Sequence, residues 1–200
     1  MTKVVGLTGG IASGKTTIIN FLKKIKIPTH ESDKEVKKIY LNPPKNFLSV
    51  LKKIGLEKAI NGKKINKRKI REEVFASIKK RKSLEKFIHK KIKTERDKFL
   101  KNQKTKKNKI VFLDIPLLFE NKLEKMCDYT VLVYAKEKTR RNRAIKRRGM
   151  NKKIVNAIID SQLKDDIKKK KADFVINSNK SKKKCFDKLK KIINLIKGDL

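Results

Sequence analysis

Apolar and polar positions along the chain follow two periods. Val4-Val5-Gly6-Leu7 reads as a short buried strand, and Ile18-Ile19 with Phe21-Leu22 reads as the apolar stripe of a helix ending near Lys26. Ile27-Pro28-Thr29-His30 is a second short strand or extended segment, with Glu31-Ser32-Asp33 at its end. Helical spacing resumes at Val36, Ile39 and Tyr40, breaks at Pro43-Pro44, and returns at Phe47, Val50, Leu51 and Ile54 before Gly55. A helix start is expected at Asn66. Ile70, Val74, Phe75 and Ile78, then Leu84, Phe87, Ile88 and Ile92, give two amphipathic helices, the second running towards Leu100, so the middle third is expected to be nearly all helix.

Beyond a polar linker the pattern changes. Ile110-Val111-Phe112-Leu113 is a continuous apolar run ending at Asp114, and Tyr129–Tyr134 is another; both suit strands buried on two faces. Phe174-Val175-Ile176 is a further short strand, followed by a closing helix with Leu189, Ile192, Ile193 and Ile196 on one face and Gly198 just past its end. Strands alternating with helices predict an α/β fold, a doubly wound parallel sheet, and 200 residues suit a single domain. Ligands in such sheets lie beyond the carboxyl ends of the strands. Asp33 and Asp114 fall there.

So does Gly9-Gly10-Ile11-Ala12-Ser13-Gly14-Lys15-Thr16, between the first strand and the first helix. This spacing is that of a phosphate-binding loop: glycines let the backbone curl so that N–H groups converge on a phosphate at the positive end of the helix dipole. Lys15 reaches the β- and γ-phosphates, and the Thr16 hydroxyl is placed to ligate Mg²⁺. The expected nucleotide contacts are Gly10, Ile11, Ala12, Ser13, Gly14, Lys15, Thr16 and Thr17.

The charge balance is extreme, with 58 Lys+Arg against 20 Asp+Glu. Alone it suggests a nucleic-acid partner. However, only nine of the basic residues are arginines, the lysines are scattered over nearly every expected helix, and the lysine runs at 168–171 and 182–184 read as exposed turns or helix ends. Aromatics are 6% and Trp is absent, so a base-stacking platform is poorly supplied. The expectation is a lysine-rich solvated surface with no specific nucleic-acid partner. No run approaches the length of a membrane span, the N-terminus enters a strand at once, and Cys127 and Cys185 have no metal-ligand or C-x-x-C spacing. A cytoplasmic protein without disulfides, zinc or a membrane partner is expected, and a monomer.

A phosphate loop does not say what accepts the phosphoryl group. Here the sequence resembles the dephospho-coenzyme A kinase family along almost its whole length. Leu7–Thr16 looks like that family's opening, and Asp33, with Glu31 before it, falls at its Asp-x-Asp pair. Arg71-Glu72-Glu73-Val74-Phe75, Ile88-His89, Ile115-Pro116-Leu117-Leu118-Phe119-Glu120, Arg143 with Arg147, Gln162, and Ala172-Asp173-Phe174-Val175-Ile176 follow in its order. The sequence departs from the family pattern at Ala12 for Gly, Glu31 for Asp, Lys90 for Pro, Arg140 for Gln, and Ser178 near the usual Asn-x-Gly. Ala12 adds a methyl inside the loop and is expected at negative φ.

The resemblance implies a P-loop kinase with a helical substrate-binding insertion (33–107) and a helical lid (137–171) on a nucleotide-binding core (1–32, 108–136, 172–200). It implies transfer of the γ-phosphoryl of ATP, with Mg²⁺, to the ribose 3′-hydroxyl of dephospho-CoA. Asp33 is then the general base, and Arg143 and Arg147, four apart on one helix face, close over the phosphoryl. Asp114 steadies the metal, and Arg71 and His89 meet the substrate. Four of these have plainer alternatives: a helix N-cap for Asp33, the exposed arginines common in any basic helix for the Arg143–Arg147 pair, a satisfied helix histidine for His89, and a surface ion pair with Glu73 or its neighbours for Arg71. Another small-molecule or nucleoside monophosphate kinase, and a nucleic-acid-associated NTPase, are the rival functions.

Overall fold

The computed structural model describes residues 1–198. The chain divides into two compact units, Met1–His30 with the chain from Asn102 onward, and Glu31–Lys101. In the first, β1 (Lys3–Thr8) is central in a five-stranded sheet, flanked by β5 (Ile110–Asp114) and β6 (Tyr129–Tyr134), with β2 (Thr29–Glu31) outside β5 and β7 (Phe174–Asn177) outside β6. β1 pairs in parallel with both neighbours, Leu7 opposite Asp114 and Thr8 opposite Leu132, and β6 pairs in parallel with β7. The fold is the expected α/β one.

Alternation within β1 decides what covers it. Val5 and Leu7 join Phe112, Val131 and Ile176 beneath α1 (Lys15–Lys24) and α9 (Lys182–Lys197), where Ile18, Leu22, Leu189 and Ile193 are buried. Each such side chain taken from water contributes about 1.5–3 kcal/mol. Phe21 and Phe186 stack across α1 and α9 with ring centroids 4.1 Å apart. On the opposite face of the strand the packing requires glycine at Gly6, where an added Cβ would stand 2.8 Å from Cys127 Sγ. Asp173 fixes the start of β7, accepting from Thr130 N–H (2.8 Å) and the Thr130 hydroxyl (2.7 Å).

Between β6 and β7 run α6 (Glu137–Ile145), α7 (Lys152–Asp160) and α8 (Asp165–Lys171). The lysine run at 168–171 is not all exposed: Lys168 is fully buried and ion-paired with Glu120 Oε1 at 2.7 Å. Its four-carbon stem suits an interior position once a carboxylate meets the ammonium. The same Glu120 oxygen accepts the Leu163 N–H (3.1 Å), tying the approach to α8 to the segment after β5.

The second unit has its own core. Phe47, Leu51, Leu56, Ile70 and Leu84 are buried from α3 (Lys45–Lys53), the following turn, α4 (Lys67–Ala76) and α5 (Ile78–Thr105), and Ile39 joins them from α2 (Ser32–Leu41). Phe47 meets Tyr40 edge-on (5.5 Å) and Phe87 (5.3 Å). Asn66 caps α4, its side chain accepting from Arg68 N–H and Lys69 N–H, as its position predicts. Two expectations fail here. The middle third is not nearly all helix, because β3 (Ile60–Asn61) and β4 (Lys64–Ile65) form a short hairpin around Gly62 at φ 58°. Phe75 and Ile78 lie outside the core, 88% and 65% exposed, because α4 ends at Ala76 and the break at Ser77 ends the shared helical face.

Candidate phosphate-binding site

β1 ends at Thr8 and α1 begins at Lys15, so the loop between them lies at the carboxyl end of the central strand. Ser13 N–H donates to the Gly10 carbonyl (3.1 Å), closing the curl. Gly14 stands at φ 95° as the residue before α1, and no side chain caps that helix. Its first N–H groups and its dipole therefore face the loop. Gly9 is required by close approach: a Cβ there would lie 2.5 Å from both Ser13 Oγ and the Val133 carbonyl.

Ala12 differs from expectation. It is left-handed, at φ 56°, because the curl demands that turn even of a residue with a Cβ. The left-handed backbone costs an alanine about 1 kcal/mol. Its methyl, 6% exposed, packs with Ala144, Val155 and Ile159, and burial of one carbon at ~0.8 kcal/mol offsets much of that.

Lys15 and Asp114 are brought together. The Lys15 ammonium is ion-paired with Asp114 Oδ1, both side chains largely buried. Thr16 follows in the first turn of α1 with its side chain exposed, and Thr17 N–H donates to the Gly14 carbonyl (3.0 Å).

Arg143 lies on α6 and reaches the loop through Ser178. Its two terminal nitrogens donate to Ser178 Oγ (3.2 Å) and the Ser178 carbonyl (3.0 Å), and the Ser178 hydroxyl in turn donates to the Ser13 carbonyl. Cys185 stands close by, its thiol donating to the Asn177 carbonyl (3.4 Å); burial pushes that thiol up, against the opposing charges of Arg143 and Lys180. Arg147 does not share a helix face with Arg143. α6 ends at Ile145, and Arg147 sits in an exposed turn whose N–H donates to the Ala144 carbonyl, closed by Gly149 at φ 77°.

The remaining expected residues belong to the second unit. Asp33 is exposed in the first turn of α2 and is not its N-cap: that helix starts at Ser32 directly from β2, which makes Glu31 the cap position, and Glu31 makes no side-chain cap bond. Arg71 is exposed on α4 and His89 exposed on α5. The alternative pairing of Arg71 with Glu73 is not made, since Glu73 instead meets Lys80 Nζ (2.6 Å) and Glu72 meets Arg68 Nε (2.8 Å).

Nothing in the residue pattern signals that Ser178 links the loop to Arg143, or that Arg140 and Gln162 lie against Gly10 and Ile11. Arg140 is buried on the same α6 face as Ala144, in a stretch so charged that no apolar stripe marks the inner side.

A parallel sheet, a glycine loop closing on a helix N-terminus, a lysine at the first helical position and a strand-end aspartate beside it define a phosphate-loop protein of the nucleotide-binding class. The sequence profile of the dephospho-CoA kinase family matches residues 3–184. A dephospho-CoA kinase of Listeria innocua is 33% identical over 188 residues, covering 92% of each chain. A crystal structure from Thermus thermophilus superposes with a TM-score of 0.80 at 26% identity, covering 96% of each chain. A dephospho-CoA kinase from Campylobacter jejuni gives a TM-score of 0.73 at 25% identity over the full length of both. The chain belongs to the dephospho-CoA kinase family.

Proposed function

We propose that this chain transfers the γ-phosphoryl group of ATP to the ribose 3′-hydroxyl of dephospho-CoA, giving CoA and ADP. The observation that carries the reading is the Gly9–Thr16 loop, closed on the N-terminus of α1 with Lys15 beside Asp114, in a chain matched by the family profile over residues 3–184.

Phosphoryl transfer requires positioning and charge neutralisation more than covalent chemistry from the protein. The loop N–H groups from Gly10 to Thr16 and the α1 dipole hold the β- and γ-oxygens, with Thr17 in the same turn. On nucleotide binding, the Lys15 ammonium turns from Asp114 to the phosphates. Arg143 leaves Ser178 for the transferring group, and Arg147 supplies a second cation from its exposed turn. Asp33, an exposed carboxylate, takes the proton of the 3′-hydroxyl as that oxygen attacks phosphorus and the bond from the γ-phosphorus to the β,γ-bridging oxygen breaks. Arg71 and His89 meet the substrate.

The Thr16 hydroxyl, next in the chain to Lys15, and the Asp114 carboxylate, ion-paired with Lys15, are hard oxygen donors of the kind that would hold Mg²⁺. When bound, that ion supplies charge neutralisation on the phosphate oxygens. Among the described residues no helix is long and apolar enough to cross a membrane. The same reading has a monomer working in the cytoplasm.

The test is to incubate the purified protein with ATP, Mg²⁺ and a panel of hydroxyl acceptors and to identify the product by mass. A mass gain of one phosphoryl on dephospho-CoA, with AMP and adenosine left largely unchanged, is the expected result. Equal kcat/KM for AMP and dephospho-CoA would sink it.

A further inference from the structure

Arg140 is 4% exposed, and its three guanidinium nitrogens have three different surroundings. Nε donates to the Ala135 carbonyl (3.3 Å), and NH2 pairs with Asp165 Oδ2 (2.8 Å). NH1 is buried with no hydrogen-bond partner among the described residues. It is aimed at the phosphate loop: a Cβ built on Gly10 would stand 2.6 Å from it and 3.1 Å from Gln162 Oε1. That Gln162 oxygen accepts the N–H of Ile11 (3.2 Å). Two polar side chains from the β6–β7 connection thus meet the loop at Gly10 and Ile11.

The glycine at position 10 has a cause of its own. Gly14 needs to be glycine because its φ is 95°, but Gly10 is not among the positive-φ residues, so its backbone accommodates an alanine. What an added methyl would meet first is the guanidinium, held in place by the Ala135 carbonyl and Asp165. A buried cation with one arm left unpaired is costly. The Arg140–Asp165 pair is also a dipole with its positive end towards Gly10, and in a poorly screened interior such a dipole acts strongly on charge placed in the loop.

We infer that Arg140 is a positioning residue for the nucleotide phosphates. It lies with its unpaired NH1 against the Gly10–Ile11 segment that Gln162 ties down, and stabilises negative charge in the loop by its field, without touching the phosphate, since NH1 is shielded from solvent. The inference rests on the loop being a nucleotide site, and is independent of which hydroxyl accepts the phosphoryl group.

The experiment uses the full chain with ADP as probe, titrated calorimetrically, alongside melting curves and steady-state transfer. Arg140→Gln keeps hydrogen-bonding capacity and removes the charge; it is expected to weaken ADP at least about tenfold and to raise the KM of ATP in step, while the acceptor KM stays within about twofold. Gly10→Ala is expected to weaken ADP about tenfold in the wild-type background and less than about threefold in an Arg140→Ala background, because the clash is gone. Should Arg140→Gln melt below the working temperature, Arg140→Met, which also removes the charge, serves the same comparison. ADP affinity within threefold of wild type in the Arg140 variants, equal rises in both KM values, or an unchanged Gly10→Ala penalty in both backgrounds would overturn the inference. Lys15→Ala is the control: if it binds ADP as wild type does, the nucleotide reading of the loop itself fails, which is a separate result.

Discussion

The ammonium of Lys15, the first residue of α1, is ion-paired with the carboxylate of Asp114, the last residue of β5. The pairing places a cation at the mouth of the loop and keeps a carboxylate next to it without a net charge. In the proposed mechanism the two groups take separate roles: ligand phosphates would compete for Lys15 and leave the carboxylate to a metal.

Lys15→Ala is expected to fold with a lowered melting temperature, because it strands the Asp114 carboxylate, and to lower turnover by about 10²–10³, the cost of losing one donor to transition-state charge. Asp114→Asn should lower turnover and raise the Mg²⁺ concentration needed for half-maximal rate. The check is steady-state transfer across a Mg²⁺ series; normal turnover in a folded Lys15→Ala protein would remove the loop from the mechanism.

Asp33→Asn is expected to lower kcat by roughly 10²–10⁴, the usual contribution of a placed general base, with nucleotide affinity within a few-fold of wild type. Because Glu31 holds the cap position of α2 and Asp33 is exposed, the melting temperature should hardly move. A kcat loss under tenfold would pass the role to another carboxylate.

Ser178→Ala removes the hydroxyl that bonds the Ser13 carbonyl and receives Arg143. Stability should fall by about 1 kcal/mol, the net worth of such a bond. Nucleotide affinity should fall several-fold because the Ser13 carbonyl of the loop loses its tie to the segment after β7. Denaturant melts and ADP titration read the two effects separately, and unchanged ADP binding would count against the link.

Lys168→Ala is expected to destabilise the protein by about 3–5 kcal/mol, since it strands the Glu120 carboxylate. Combined with Glu120→Gln, much of that loss should return. A melt of the single variant like that of an exposed lysine change would show the pair to be unimportant.

The sheet was legible because its strands are apolar on both faces: Ile110–Asp114 and Tyr129–Tyr134 stand out even in a chain this rich in lysine. The loop and its lysine were legible from spacing alone. The β3–β4 hairpin was not, since two-residue strands are shorter than any period, although Asn61-Gly62 is a turn signal. Arg147 was misplaced because spacing of four implies one face only while the helix continues, and α6 stops at Ile145. Lys168 and Arg140 were hidden for a common reason: a charged side chain goes inside only when a distant partner, Glu120 or Asp165, meets it, and that pairing is made by topology.

The placement of β1 at the centre of the sheet has a consequence for biosynthesis. During synthesis β1 gains its first central neighbour only when β5 has been made, about a hundred residues later, or about 5–20 s at ordinary elongation rates. The phosphate loop waits longer still, for Ser178 lies 165 positions beyond Ser13. During that interval Val5 and Leu7 lack their partners from β5, β6 and α9, and the positive charge of the lysine-rich segments that follow disfavours self-association. Protease sensitivity of stalled nascent chains should therefore persist until β7 and α9 have emerged, and early protection at β1 would contradict this order of assembly.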